Sequence, residues 1–197
     1  MLAVGDRVPD FVMASDSAGS VAAKALRGTR YLVYFYPKDD TPGCTKEACA
    51  FRDNLPAFKD LGVPVYGVSA DDLKAHGKFV QKYQLNFPLL TADQATLEAF
   101  GVWVEKSMYG KKYFGIARAS FVIGADGVVE MVWPKVSPEG HAAEVLAYLG
   151  GAATAAPAKA TRPKAPAKPK TATVKPAASK AAIAKVKKPT TRKRGAE

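Results

Sequence analysis

The chain has 197 residues and a formal net charge of +11, from 29 lysine and arginine residues and 18 aspartate and glutamate residues. The excess charge lies in one part of the chain. Residues 1–150 carry 16 basic and 17 acidic side chains, whereas residues 151–197 carry 13 basic and one acidic. No apolar run approaches the roughly 20 residues that cross a bilayer, which argues against a helical membrane protein.

All aromatic side chains and both cysteines lie within residues 1–150. A domain of that size buries enough apolar surface to be stable without disulfides. Its first residues, Met1 to Arg7, lack the basic start and long apolar stretch of a secretory signal. We therefore expect a cytoplasmic protein with no membrane partner, and in that compartment disulfides are usually transient and catalytic. The two cysteines are the first candidates for function.

In chain order, strand-like and helix-like segments alternate over the first part of the chain. Strands are predicted where β-branched and aromatic residues cluster, at residues 31–36, 63–68, 120–123 and 128–133. Helices are predicted where apolar residues recur every three or four positions, at residues 45–61, 71–83, 94–100 and 138–149. The alternation predicts parallel strands early in the domain, and the turn residues 124–127 predict an antiparallel hairpin late in it. The expected fold class is α/β, with a mixed central sheet flanked by helices.

Residues 151–197 consist mainly of alanine, lysine, proline and threonine, with prolines at positions 157, 163, 166, 169, 176 and 189. Such a segment cannot bury enough apolar surface to offset its ordering entropy, and its like charges repel. We predict one domain over residues 1–150 and a disordered basic tail over residues 151–197. The tail is either a solvated solubilising segment or a binder of nucleic acid or another acidic surface, and its contacts with phosphates would be salt-sensitive. We favour weak DNA binding.

Cys44 lies between a predicted strand and a predicted helix, just after Pro42, a residue suited to a first helical turn. A free cysteine has a pKa near about 8.5, so it is mostly protonated at neutral pH. The free N–H groups of a helix start favour the thiolate. This placement predicts that Cys44 is a nucleophile, which a peroxide would convert to a sulfenic acid.

Cys49 is the only other thiol in the chain. It would trap a sulfenic acid at Cys44 as a disulfide, unless a thiol of another molecule does so. Five residues of an ideal helix span about 7.5 Å of rise and roughly 140° of rotation, whereas disulfides need Cα atoms roughly 4.4–6.8 Å apart. We therefore predict that the first turns of the helix unwind when the two cysteines are oxidised.

The spacing of Pro37, Thr41 and Cys44, with Cys49 five residues further on, closely resembles the peroxiredoxins. The resemblance is to their bacterioferritin-comigratory (PrxQ-type) branch, which places its resolving cysteine at the position of Cys49. It extends through residues 101–103, 106–110 and 115–121, and it covers about residues 3–149.

The resemblance implies a thioredoxin-like fold and a thiol peroxidase that reduces hydrogen peroxide and organic hydroperoxides. Cys44 would attack the peroxide, Thr41 and Arg118 would hold its oxygens, and Pro37 would shield the site. A guanidinium suits this role because it stabilises both a thiolate and a developing oxyanion. Electrons would come from thioredoxin or glutaredoxin, with no metal and no bound cofactor. A disulfide within one chain needs no second subunit, so we expect a monomer.

The sequence leaves room for other interpretations. His76 and His141 lie in polar helix-like segments without further ligands at metal-site spacing, so we expect surface histidines and no metal site. A general thiol–disulfide oxidoreductase is disfavoured because four residues, rather than two, separate the cysteines. A nucleoid-associated DNA-binding protein, with the folded domain as a scaffold or redox sensor, stays open as the alternative function.

Overall fold

The structure is a computed structural model that describes residues 1–108 and 110–151. The predicted disordered tail therefore lies outside the described residues, apart from Gly151. The elements in chain order are β1 (Val12–Ser15), β2 (Gly19–Ala22), β3 (Tyr31–Phe35), α1 (Pro42–Asp60), β4 (Val65–Ser69), α2 (Leu73–Tyr83), β5 (Leu89–Thr91), α3 (Gln94–Ala99), β6 (Trp103–Met108), β7 (Lys111–Ile116), β8 (Ala119–Ile123), β9 (Val129–Trp133) and α4 (His141–Gly151). A short 3-10 turn over Ala23–Leu26 follows β2.

Seven strands form one mixed sheet in the order β2-β1-β5-β4-β3-β8-β9, and β6 and β7 form a separate two-stranded hairpin. Strands β3, β4 and β5 pair in parallel, and β8 pairs antiparallel with both β3 and β9. The predicted mixed sheet, the early parallel pairing and the late hairpin are all confirmed. At the turn of that hairpin Gly127 has a φ of +76°, a conformation that favours glycine.

Strand β3 lies inside the sheet, between β4 and β8, and is buried on both faces. Successive side chains of a strand point to opposite faces. Val33 and Phe35 accordingly join the core on the side of α3 and of the antiparallel pair β1 and β2. Leu32 and Tyr34 join the core on the side of α1, α2 and α4. The chain leaves β3 at its carboxyl end and enters α1, so the start of α1 lies at the edge of the sheet where open α/β proteins bind ligands.

Five strands were not predicted, namely β1, β2, β5, β6 and β7. They are only three to six residues long, and β1, β2 and β7 carry many exposed or polar side chains. Their backbones are ordered by pairing with a neighbour, as when β1 pairs with both β2 and β5. Pairing between distant segments leaves no periodic pattern in the sequence itself.

The expectation that both histidines lie on the surface is wrong. His76 and His141 are fully buried, with exposed fractions of 0% and 1%. His76 shares the inward face of α2 with Phe79, three residues later, while the lysines around it point outward. At the start of α4, the Nε2 of His141 lies 2.8 Å from the hydroxyl of Ser120, and burial lowers the pKa of this histidine. Because the neighbours of these histidines in the sequence are polar, no local pattern indicated the buried helix face on which each of them lies.

Over the residues that the structure describes, no helix is both long enough and apolar enough to span a membrane.

Candidate active site at the start of helix α1

Helix α1 begins after a six-residue loop that follows the carboxyl end of β3. Thr41 is its N-cap in an extended conformation, Pro42 is its first residue and Cys44 its third. Cys44 therefore lies within the first turn, where backbone N–H groups have no helical acceptor and the helix dipole favours an anion. No acidic residue lies in that turn to compete for these groups. The residue is buried, with 1% of its surface exposed.

Thr41 does not cap the helix with its side chain. Its hydroxyl instead donates a hydrogen bond of 3.2 Å to the carbonyl oxygen of Lys38, within the loop that precedes α1. The first N–H groups of α1 are thus left for another acceptor, and the Thr41 oxygen can still accept a hydrogen bond. Pro37 is exposed in the same loop, before Lys38. Its predicted shielding of the site stays a prediction.

Arg118 reaches the thiol from the segment between β7 and β8. Its Nη2 lies 3.1 Å from the Sγ of Cys44, and its Nη1 donates to a carboxylate oxygen of Glu47. Gly43 lies against this guanidinium, since a Cβ atom there would be 3.4 Å from Nη2, an ordinary van der Waals distance. The structure thus brings Cys44 and Arg118 together from positions 74 residues apart in the chain.

Glu47 is a member of the site that the sequence reasoning missed. It lies three residues after Cys44 and so on the same side of α1, and it is completely buried. Burial raises the pKa of Glu47 to about 7, while the guanidinium of Arg118 acts in the opposite direction. A signal was available, because a glutamate stands on a helix face whose other members, Ala48 and Phe51, are apolar and buried.

Lys106 is a second cation near the site and was also missed. It lies on β6, and its Nζ donates a 2.5 Å hydrogen bond to the carbonyl oxygen of Ile116, two residues before Arg118. Burial lowers the pKa of Lys106, the charge of Arg118 lowers it further, and a Cys44 thiolate acts in the opposite direction. Two positive charges therefore bear on the same thiol.

Cys49 lies on the same continuous helix as Cys44, and both cysteines are free. Cys49 is half-buried, whereas Cys44 is buried. In a regular helix the two positions are about 7.5 Å apart along the axis and point roughly 140° apart. The structure is thus the dithiol form, in which the cysteines cannot form a disulfide without a change in α1.

Within residues 1–108 and 110–151, no group of three or more histidine, cysteine, aspartate or glutamate side chains could hold a metal ion.

Comparison with known proteins identifies the family. The AhpC/TSA family matches residues 4–132, which is more than half of the chain. The chain belongs to the AhpC/TSA family. It is 43% identical over 147 residues to peroxiredoxin Bcp of Bacillus subtilis, and 44% identical over 149 residues to peroxiredoxin Bcp of Escherichia coli. These matches cover 74% and 75% of this chain and 94% and 96% of the relatives.

The solved structures agree with this membership. A cysteine-to-serine mutant of PrxQ from Xylella fastidiosa superposes with a TM-score of 0.72 and 33% identity, over 77% of this chain and 97% of that chain. The expected thioredoxin-like peroxiredoxin fold is confirmed. The protein is a peroxiredoxin, an oxidoreductase that reduces peroxides through a cysteine thiol. Family membership implies a peroxide substrate and a reductant of the thioredoxin type.

Proposed function

We propose that Cys44 is the peroxidatic cysteine of this enzyme. The observation that carries the proposal is the 3.1 Å contact between the Nη2 of Arg118 and the Sγ of Cys44 at the start of α1. A guanidinium stays charged at every physiological pH and stabilises an adjacent thiolate. The helix start adds its own partial positive charge. Cys44 is the one cysteine of the two that receives both influences.

In the first step, the Cys44 thiolate attacks the terminal oxygen of a hydroperoxide. The S–O bond forms as the O–O bond breaks, so the sulfur is oxidised to a sulfenic acid and the peroxide is reduced. The leaving alkoxide or hydroxide takes up a proton and departs as alcohol or water. Arg118 and the free N–H groups of α1 stabilise the charge that moves onto the oxygens. Thr41 accepts a hydrogen bond from the peroxide. Pro37, which lies in the loop before α1, shields the site.

In the second step, the Cys49 thiol attacks the sulfur of the Cys44 sulfenic acid. A disulfide forms within the chain and water leaves. Thioredoxin or glutaredoxin, each a dithiol reductant, then attacks this disulfide and restores both thiols. Because both cysteines lie on α1, one chain suffices, and we propose a monomer. The cytoplasmic location expected from the sequence stays a prediction.

The test is to treat the reduced protein with one equivalent of hydrogen peroxide and to record intact mass and free thiols without reductant. The wild-type protein should lose two hydrogens and both thiols while staying monomeric. The Cys49→Ser variant should instead carry a sulfenic or overoxidised Cys44, and the Cys44→Ser variant should leave the peroxide unconsumed. Retention of both thiols in the wild-type protein would refute the proposal.

A second function is proposed for the tail. The segment 151–197 carries 13 basic residues and one acidic residue, while residues 1–150 are nearly neutral. Such a segment would bind DNA phosphates without sequence preference, and the affinity would fall steeply with salt. Peroxide removal close to DNA would combine the two functions. A nucleoid protein with a redox-sensing domain is the alternative in which binding, rather than catalysis, is primary.

The tail is tested by retention on immobilised DNA at low salt. The matched control is a full-length variant in which the 13 tail lysines and arginines are glutamine. We expect the wild-type chain to be retained and to elute as salt rises, while the control passes through with unchanged peroxidase activity. Equal retention of the two proteins would exclude DNA binding by the tail.

A further inference from the structure

A buried polar cluster lies beneath the loop that carries Thr41. It consists of Tyr36, Asp39 and His76, which we call the Asp39 cluster. The hydroxyl of Tyr36 donates a 2.7 Å hydrogen bond to Oδ1 of Asp39, and the Nδ1 of His76 lies 2.7 Å from Oδ2. The exposed fractions of the three residues are 1%, 8% and 0%. None of them takes part in the peroxidase steps described above.

The cluster is costly to bury. A carboxylate removed from water needs hydrogen-bond donors at both oxygens, and Asp39 has one at each. The ring of His76 is not fully hydrogen-bonded, because its Nε2 has no hydrogen-bond partner among the described residues. Apolar residues of similar size would give a stable core at lower cost. We infer that the cluster specifies one conformation of the loop.

The cluster acts on the peptide group between Lys38 and Asp39. A peptide group is planar, so its N–H and its C=O turn together. The N–H of Asp39 donates a 2.8 Å hydrogen bond to Oδ2 of Asp71, an oxygen that also accepts a bond from Ser69. The C=O of the same peptide accepts the bond from the Thr41 hydroxyl. Whatever holds Asp39 therefore also holds the hydroxyl of Thr41.

The orientation of that hydroxyl matters for the reaction. A threonine hydroxyl has one hydrogen to donate and two lone pairs that accept. Because its hydrogen points to the carbonyl oxygen of Lys38, the oxygen of Thr41 presents lone pairs to whatever lies on its other side. A hydroperoxide O–H, which needs an acceptor, fits this arrangement.

We propose that the Asp39 cluster is a positioning device that holds the Lys38 peptide, and through it the Thr41 hydroxyl, as the hydrogen-bond acceptor for the hydroperoxide. This inference rests on the proposed role of Thr41 in the peroxidase reaction. His76 and Asp39 act through Thr41 and touch neither the thiol nor the peroxide. Removal of their hydrogen bonds should slow peroxide reduction while Cys44 stays as reactive as before toward reagents that do not use Thr41.

The test compares two reactions of Cys44 in full-length protein, with Cys49→Ser as the parent so that only one thiol reacts. One reaction is oxidation by hydrogen peroxide, followed as loss of the free thiol. The other is alkylation by iodoacetamide, which reports the thiolate and its accessibility but needs no hydrogen bond from Thr41. The variants are His76→Leu, which removes the donor to Asp39, and His76→Asn, whose amide nitrogen can replace Nδ1 as that donor. Tyr36→Phe removes the other donor and conserves the shape of the side chain.

We expect His76→Leu to lower the peroxide rate constant roughly tenfold or more, because small displacements of a positioning group have large effects on rate. Alkylation should stay within about twofold of the parent. His76→Asn should restore most of the peroxide rate, and Tyr36→Phe should lower it by more than about twofold. If His76→Leu does not fold, Tyr36→Phe decides the question.

Lys82→Met is the matched control. Lys82 also lies on α2 and binds the same loop, through hydrogen bonds of 2.9 and 2.7 Å to the Asp40 carboxylate, but this pair is exposed. Exposed ion pairs contribute little, so the peroxide rate should be unchanged. A folded His76→Leu or Tyr36→Phe variant with the peroxide rate of the parent would overturn the inference, as would an equal fall in both reactions. If the parent itself is not oxidised at Cys44, the proposed function fails instead.

Discussion

Arg118 and Cys44 are joined by a 3.1 Å contact between a guanidinium nitrogen and the thiol sulfur, although 74 residues separate them in the chain. The other terminal nitrogen of the same guanidinium binds the buried carboxylate of Glu47. The position of Arg118 is therefore set by two residues on the same side of α1, Cys44 and an acid one turn further along.

Substitutions of Arg118 should distinguish the effect of its positive charge from the effect of its two-pronged geometry. Arg118→Lys keeps a positive charge, but a single ammonium group cannot form the two-pronged contact with Cys44 and Glu47. We expect both Arg118→Lys and Arg118→Met to lower the rate constant for peroxide by about 100-fold or more, the usual cost of removing an oxyanion donor. Stopped-flow measurement of peroxide consumption provides the test. A fall of less than about threefold in Arg118→Lys would show that charge alone suffices.

Substitution of Thr41 should affect the reaction more than the helix. Loss of a threonine N-cap usually costs about 1 kcal/mol because a side-chain hydrogen bond is lost. The Thr41 side chain makes no such bond, so Thr41→Val should cost less than that in urea unfolding. The same variant should reduce peroxide roughly tenfold more slowly, and Thr41→Ser should stay close to wild type. A large loss of stability with unchanged peroxide rate would assign Thr41 a structural role.

Glu47 should make stability depend on pH. Its pKa is raised from 4.5 to about 7 in the folded protein, mainly by burial. The folded state then holds a proton that the unfolded state releases, so this contribution to stability is complete below about pH 4.5 and is lost as pH rises to about 7. In Glu47→Gln, which cannot titrate, that loss should disappear.

The measurement is urea unfolding under reducing conditions at pH 5 and pH 8. Between these values we expect the stability of Glu47→Gln relative to wild type to improve by on the order of 2 kcal/mol. The control is Glu139→Gln, because Glu139 is an exposed partner of Lys46 at the same end of α1. The control should follow the wild-type pH profile. A relative stability of Glu47→Gln that is the same at both pH values would mean that Glu47 stays ionised when buried.

Oxidation should unwind the start of α1, and the unwinding should stop near Arg52. Pro56 lacks the N–H that would bond the carbonyl of Arg52 in the helix, and the side chain of Asn86 donates to that carbonyl instead, at 3.3 Å. Arg52 also donates a 2.6 Å hydrogen bond to the carbonyl oxygen of Tyr83 at the end of α2. The backbone hydrogen bonds of α1 are thus interrupted at Arg52, and hydrogen bonds with Asn86 and Tyr83 hold this residue from outside the helix.

Amide hydrogen exchange of the reduced and the peroxide-oxidised protein checks this prediction. We expect faster exchange after oxidation for amides between Thr41 and Arg52, and unchanged exchange for residues 57–60 at the end of α1. Cys49→Ser, treated in the same way, should keep the reduced pattern because it cannot close the disulfide. Matching exchange over residues 41–52 in both forms would exclude the unwinding.

The family and the position of Cys44 at a helix start could be predicted from the sequence because both depend on local patterns. Strand β3 is a continuous run of apolar residues, and Cys44 follows a proline at a helix start, so neighbouring residues alone indicate both. The same is true of the mixed sheet, since the alternation of strands and helices predicts parallel pairing. Arg118 was recognised by resemblance, and its contact with Cys44 required the fold.

What only the tertiary structure decided is which polar side chains are buried and what they contact. Glu47, Asp39 and His76 are polar in sequence, yet each lies in the interior and binds a residue from another part of the chain. Strands β1 and β5 likewise pair although they lie far apart in the chain, with Ser15 opposite Leu90. The physical reason is the same in each case. Burial and long-range hydrogen bonds depend on which segments meet, and a local pattern of residues does not contain that information.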